Sequence, residues 1–455
     1  MIGGLHTSLK SKMAVLSLIL YNLLLFLGLI LLWPVGLGFL IFVPKMRAGF
    51  WEKLGFYSMH LQNQFVRKST EKKRVWIHAV SVGEFNAIRS LVSDLCQQFD
   101  VVISCTTRTG HDLAQKTFPQ LPILYFPFDL RAVLDRALAL VQPDLVVLTE
   151  TELWPNFIDK VTQSEKAPLL VINGRLSPRS FRGYLRIKGI MEPCLQQITH
   201  FYMQSQGDAE RMAQLGDLPP ERITVMGNLK FDLNPQIDLA KRSQLMQLLN
   251  IEEGDAVLTL ASTHSGEDRP LLESYQRLKK EFLNLKLILA PRHPERAGEI
   301  QGILDSLNLA YSTRSQLFPE SPNSETIVLL DSIGELLTVY SFSSIAVMGG
   351  SFIARGGQNP LEPLSQRIPV VFGPHMHNFS AISQLVLEDQ AGFQVQDAAE
   401  IIQPITQLLT QPEVYTQVTE RGLQLLERNR GAKVLIHQAI QQYLEEMGEA
   451  VEIPD

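Results

Sequence analysis

The sequence predicts an α/β protein of two domains, each on a doubly wound parallel sheet, with an N-terminal membrane-anchor helix. Three observations predict this. From Arg74 onward, short apolar runs alternate with helical patterns, the order that gives parallel strands with right-handed crossovers. A stretch rich in Gly, Asn and Pro, 227–237, interrupts the alternation. No charged residue occurs between positions 13 and 44. A chain of 455 residues has room for one to three domains.

The uncharged run comes first. About 20 apolar residues suffice to cross a bilayer. A signal peptide has a shorter apolar core and a small-residue cleavage site, and neither is present here. The run reads as a single anchor, 1–44, with a buried helical hairpin as the competing reading; Pro34 and Gly36 would kink it or make it re-entrant. Lys10 and Lys12 precede it. A basic juxtamembrane segment, 45–73, follows and continues into the first strand. Over that stretch Lys45, Arg47, Lys53, Arg67, Lys68, Lys72, Lys73 and Arg74 stand against only Glu52 and Glu71. The positive-inside tendency places the large C-terminal part in the cytoplasm, on the inner (cytoplasmic) membrane. The same residues suit anionic head groups or form a solvated basic face. The net charge of −6 gives no footprint for nucleic acid as a partner. The three cysteines, Cys96, Cys105 and Cys194, are too sparse for a disulfide framework and fit a reducing compartment.

The first domain, 74–226, carries apolar runs at 75–80, 101–104, 123–126, 145–149, 169–172, 200–204 and 223–225, with helical patterns between them, at 84–98 and 109–117 for example. After the linker 227–237, the second domain, 238–455, repeats the alternation at 256–261, 285–290, 326–330, 345–348 and 370–372. Beyond Gly392 the pattern is helical to about 447. Ligands of such sheets bind at the carboxyl ends of the strands, and the unusual residues of this chain cluster there.

Residues 349–363 read G-G-S-F-I-A-R-G-G-Q-N-P-L-E-P directly after an apolar run. Glycines there let backbone N–H groups approach an anion closely, and a following helix start favours negative charge. Glu362 is placed to accept from ribose hydroxyls. A glycine-rich surface turn is the plainer alternative. After the first strand come Ser81-Val82-Gly83-Glu84: a carboxylate at a helix start, able to take a proton from a hydroxyl or to close a capping box with Ser81. After 145–149 come Glu150-Thr151-Glu152-Leu153-Trp154-Pro155, two carboxylates suited to developing positive charge on a sugar, or to capping. In the linker, Lys230 lies between apolar neighbours, where it would meet a phosphate or rest on the surface. Pro291-Arg292-His293-Pro294-Glu295-Arg296 offers a phosphate-binding fork at Arg292 or a structural ion-pair knot. Residues 261–267, A-S-T-H-S-G-E, add hydroxyls and amides at one more helix start, as part of the anion site or as an ordinary N-cap. No metal-ligand spacing, Walker motif or Rossmann fingerprint occurs.

Taken together and in order, these motifs resemble the 3-deoxy-D-manno-oct-2-ulosonic acid (Kdo) transferases of lipopolysaccharide synthesis. The likeness runs from the anchor to near the C-terminus and includes Trp51-Glu52-Lys53-Leu54-Gly55 and Asn173-Gly174-Arg175-Leu176-Ser177. It implies a glycosyltransferase-B fold of two Rossmann-like domains, the first for the acceptor and the second for the nucleotide sugar. It implies an inverting, membrane-bound transferase that moves Kdo from CMP-Kdo to a lipid A precursor, with no cofactor and no metal. By motif match Glu84 is the general base, and Glu152 and Lys230 stabilise the transition state. CMP is held by Pro291 and Arg292, by Ile333, Gly334 and Glu335, and by Asn359, Pro360, Leu361 and Glu362. Three positions depart from the family pattern. Gln358 stands where histidine is usual, Ile333 where methionine is common, and Gly174 where alanine is more usual. Gln358 can donate and accept hydrogen bonds but carries no charge, which leaves room for another donor sugar or acceptor on the same fold. A membrane-tethered nucleotide-sugar binding protein is the non-enzymatic alternative.

Overall fold

A computed structural model describes residues 15–32, 34, 38, 47–66, 72–233 and 237–449. The basic residues Lys10, Lys12, Lys45, Arg67 and Lys68, with Gly36 and the middle of the linker, lie outside the described residues.

The described chain forms two compact units, Met1–Leu229 with Arg430–Asp455, and Lys230–Asn429. The first holds a seven-stranded sheet: β1 (Arg74–Ala79), β2 (Asp100–Cys105), β3 (Ile123–Tyr125), β4 (Leu145–Thr149), β5 (Leu169–Gly174), β6 (His200–Met203) and β7 (Ile223–Val225). Its order is β3-β2-β1-β4-β5-β6-β7, and every pairing is parallel. The central strands β1, β4 and β5 are buried along their whole length, as the largely apolar strands of a parallel sheet covered on both faces are. The helix Val82–Gln98 covers one face with Phe85, Ile88, Leu91, Val92 and Leu95, a helical stripe of period 3.6. At the edge of this core Arg74 is buried and bonds the Asp100 carboxylate at 2.7 Å.

The second unit repeats the plan with β8 (Val257–Thr263), β9 (Lys286–Pro291), β10 (Ser312–Thr313), β11 (Ile327–Leu329), β12 (Ile345–Met348), β13 (Val370–Phe372) and β14 (Gly392–Gln394). The order is β10-β11-β9-β8-β12-β13-β14, again parallel throughout. These are the two parallel-sheet α/β domains expected of the glycosyltransferase-B type. Strand order reverses between β1 and β4 in one sheet and between β8 and β12 in the other. Those two switch points are where open α/β sheets bind ligands.

Two details differ from the sequence reading. The segment after Gly392 begins as a strand, β14, before the helices Ile402–Thr410 and Pro412–Asn429. Three residues are too few for periodicity to separate strand from helix. The last helix, Ala432–Glu449, belongs to the first unit, not to the 238–455 domain. Past Gly431, at φ 112°, its stripe Ala432, Ile436, Ile440 and Leu444 joins the core that includes Phe85 and Ile88. The pattern marks this helix as amphipathic; only the fold decides which core it covers.

The helix Val15–Leu32 is long and apolar enough to cross a membrane, with a mean hydropathy of 2.7. By length and composition it is a candidate anchor.

Candidate functional site

At the β1/β4 switch point of the first unit lies a pocket of about 280 Å³ lined by Glu84, Glu150, Thr151, Glu152, Arg175, Ser177 and Ser180. Ser81 caps the helix that begins there, and its Oγ accepts the Glu84 N–H at 3.5 Å. The Glu84 carboxylate turns back on the same turn: Oε2 accepts the Val80 N–H at 2.8 Å and Oε1 lies 3.3 Å from Ser81 Oγ. Capping and a chemical role are therefore not exclusive, because the cap is what aims the carboxylate. Thr149 Oγ1 lies 2.7 Å from the His78 carbonyl and 3.1 Å from Glu84 Oε2. Burial pushes the Glu84 carboxyl up to about 7, with a smaller upward push from the charges of Glu150 and Glu152; the Val80 N–H and Thr149 oppose it. A carboxylate that titrates near neutrality beside an open pocket has the properties of a general base.

Glu150 takes φ 56° directly after β4, a left-handed conformation unusual for a residue with a side chain. Such a strained position at a strand end is the kind found at functional sites. Glu152 Oε2 accepts from Trp154 Nε1 at 3.0 Å, and burial raises its pKa. On the other wall Thr151 donates to the Arg175 carbonyl. Gly174, one residue earlier, has no room for the usual alanine with its neighbour as it stands: a Cβ would come within 2.5 Å of Met203 Sδ.

At the β8/β12 switch point of the second unit, the loops after β8, β9 and β12 converge. Gly349 is packed so closely that a Cβ would lie 2.5 Å from the Ser262 carbonyl. Buried Glu267 ties the two loops, its Oε1 accepting from the N–H groups of His264 (2.7 Å) and Gly350 (2.5 Å). Burial, then the charges of His293, Arg355, Arg292 and Arg296, hold the His264 imidazole below its ordinary pKa. That is a local field suited to an anion. Gln358 Nε2 lies 3.4 Å from His264 Nε2.

The structure brings Arg292, Asn359 and Glu362 together: burial raises the Glu362 pKa, while a hydrogen bond from Asn359 and the charge of Arg292 lower it. Pro291 ends β9 opposite Thr263. Pro360 starts the helix Leu361–Ser365. Leu361 is a fully buried core residue whose N–H donates to Asn359 Oδ1 at 3.2 Å. After β11, Ile333 is 81% exposed and Gly334 turns the chain at φ 85°. Glu335 accepts from Nη2 and Nε of Arg314, at 2.9 and 3.1 Å, and from the Ser332 hydroxyl. Lys230 Nζ sits 5.6 Å over the Phe379 ring. Among the described residues no cluster could hold a metal ion.

Sequence reasoning singled out Glu84, Glu152 and Arg292 but missed the work of Glu267 and Arg296. Arg296 pairs with Asp268 and Glu299 and is the structural half of the 291–296 motif. Arg355 and Ser180 also escaped notice; a lone cation in a loop and a serine in a helix first turn give no sequence signal.

A family profile described as 3-deoxy-D-manno-octulosonic-acid transferase (kdotransferase) matches residues 48–233. The 3-deoxy-D-manno-octulosonic acid transferase of Haemophilus influenzae is 34% identical over 408 residues, which is 88% of this chain and 93% of that protein. The chain belongs to the Kdo transferase family. The Kdo transferase of Chlamydophila psittaci is 30% identical over 364 residues, 78% of this chain and 82% of its own. Among solved structures, a glycosyltransferase from Rickettsia africae superposes over 82% of this chain and 98% of its own with a TM-score of 0.53 at 13% identity. That likeness shows the two-domain fold.

Proposed function

We propose that this Kdo transferase moves Kdo from CMP-Kdo to a lipid A precursor with inversion at the anomeric carbon, on the cytoplasmic side of the inner membrane. The observation that carries the reading is Glu84, a half-buried carboxylate poised at about 7 at the β1/β4 switch point and facing an open polar pocket. In the reaction the acceptor hydroxyl loses its proton to Glu84 while its oxygen bonds the anomeric carbon. The bond from that carbon to the phosphate oxygen breaks, and CMP leaves. One base and a stabilised leaving group suffice, with no covalent intermediate.

Glu152 and Lys230 are each assigned to steadying the charge that develops in the transition state. Pro291 and Arg292 take the phosphate, and the cationic surroundings of His264 support that role. Asn359, Pro360, Leu361 and Glu362 hold the ribose side of CMP, with Ile333, Gly334 and Glu335 completing the CMP site.

The test uses full-length detergent-solubilised protein with CMP-Kdo and a tetraacylated lipid A precursor. Glu84→Gln is expected to lose turnover by at least about 100-fold, the lower end of what a general base contributes, while CMP still binds. Near-normal turnover in that variant removes Glu84 as the base; no transfer by the folded parent protein removes the reaction.

The Gln358–His264 contact favours a second reading. An uncharged donor on His264 in place of a histidine alters what the loop offers the sugar or phosphate. A panel of nucleotide sugars and lipid acceptors, with products read by mass, separates the two; transfer from CMP-Kdo alone rejects the second.

A further inference from the structure

The helix Val15–Leu32 carries three polar side chains, Ser17, Tyr21 and Asn22. All three are bonded to the first unit. Ser17 Oγ donates to the Gly189 carbonyl at 2.7 Å. Tyr21 OH donates to Asp129 Oδ2 at 2.8 Å. The side-chain amides of Asn22 and Asn156 exchange two hydrogen bonds, at 2.8 and 2.9 Å. With half-buried Leu18, Leu25 and Gly28 they make one helical stripe. The opposite face, Leu16, Ile19, Leu20, Leu23, Leu24 and Leu27, is 45–66% exposed.

We propose that this helix is a rigid membrane seat for the pocket-bearing unit, not a flexible tether, and that its outer face meets a fluid lipid bilayer. A tether needs no polar side chains. In hydrocarbon such groups are costly and turn toward a protein partner, and here the partner is the unit itself. Its receiving groups are built for the purpose. Asp129 is buried and also accepts the N–H groups of Asn156 (3.1 Å) and Phe157 (2.7 Å). Phe128, beside Asp129 in the chain, and Leu185 and Ile187, just before Gly189, are further exposed apolar side chains of the unit. An outer face with no polar group, on a helix of mean hydropathy 2.7 flanked in sequence by lysines and arginines, matches an anionic bilayer.

The seat is joined to the pocket by one short segment. Asn156 lies four residues beyond Glu152, and between them Trp154 donates to Glu152 Oε2 at 3.0 Å. Asp129 and Asn156 are thus positioning residues: they fix the height of the pocket above the lipid. Only the activity consequence rests on the lipid-acceptor reading; the seat itself does not.

The experiment has three readouts on the full chain in membrane vesicles. A Ser17→Cys/Gly189→Cys pair is oxidised and the cross-linked peptide is identified by mass; it is expected to form, and its absence overturns the docked helix. A nitroxide at Leu20 is expected to be relaxed by oxygen and not by a water-soluble nickel chelate. Relaxation by the chelate, or shielding from both as in a protein contact, overturns the bilayer as occupant. The Tyr21→Phe/Asn22→Leu variant makes the helix more apolar, so the protein stays in the membrane fraction and the 17–189 cross-link is lost. Its turnover of an acceptor embedded in phosphatidylethanolamine–phosphatidylglycerol vesicles is expected to fall roughly tenfold, a loss typical of misplacement. Turnover of the same acceptor in detergent micelles is expected to be unchanged. Equal turnover of parent and variant in both settings overturns the positioning role, and a parent inactive on every lipid acceptor overturns the acceptor reading while leaving the cross-link result standing.

Discussion

Replacing Glu150 by Gln removes one negative charge from the pocket and keeps the side chain's size and the φ 56° backbone. The Glu84 carboxyl stands at about 7 instead of the ordinary 4.5, a difference of roughly 3 kcal/mol between its two protonation states. Burial supplies the largest part, and Glu150 is the first of the two carboxylates that add to it. The sign follows: a neighbouring anion disfavours ionisation, so removing it lowers the Glu84 pKa. With burial left in place, the acidic limb of kcat/KM is expected to move down by about half a pH unit. A base titrating at about 7 is about one-tenth ionised at pH 6; half a unit lower it is about one-quarter ionised, so the rate at pH 6 rises about 2.5-fold. At pH 8.5 both forms are ionised and the rates converge. The assay is initial-rate transfer from pH 5.5 to 9. A limb that stays in place or moves up refutes the electrostatic account of the pocket.

Gly349→Ala is expected to push the β8 and β12 loops apart, because its Cβ would lie 2.5 Å from the Ser262 carbonyl and 2.6 Å from Thr263 Cα. Thermal unfolding should show a loss of about 1–3 kcal/mol, the usual cost of overpacking, and CMP titration a weaker affinity; unchanged values for both refute the tight loop junction. His78 is fully buried, stacked on Phe126 at 3.9 Å, and held at about 3 by burial against the pull of the Ser104 carbonyl. Its folded pKa lies below the unfolded value, so its contribution is complete above about pH 6.5 and is lost as the pH falls towards 3. By pH 5 that is about 2 kcal/mol. Denaturant unfolding from pH 7 to 5 should show it, and His78→Phe should flatten the slope.

Most strands of both sheets are legible because the buried ones are largely apolar runs such as Val75–Val80 or Ile345–Met348 set between turn residues; β10 and β14, of two and three residues, are too short to read. Glu84 was legible as a carboxylate at a helix start and, by motif match, as the candidate base; its pKa near neutrality was not, since that comes from burial and from Glu150 and Glu152 across the β1/β4 junction. The same holds for Arg292 and Arg296, four positions apart in one motif. Only packing shows that Arg296 is spent on Asp268 and Glu299 while Arg292 acts on Glu362.

By itself, then, the sequence determined the two α/β halves, the apolar N-terminal helix and the order of motifs that marks a Kdo transferase, because these reside in local periodicity and spacing. Tertiary structure alone decided that Ala432–Glu449 closes the first unit, that Glu267 ties the loops after β8 and β12, and that Ser17, Tyr21 and Asn22 turn toward Gly189, Asp129 and Asn156. Each of these joins residues far apart in the chain. Their energy comes from burial and hydrogen bonds made only after the strands have assembled, and no local pattern encodes such a partner.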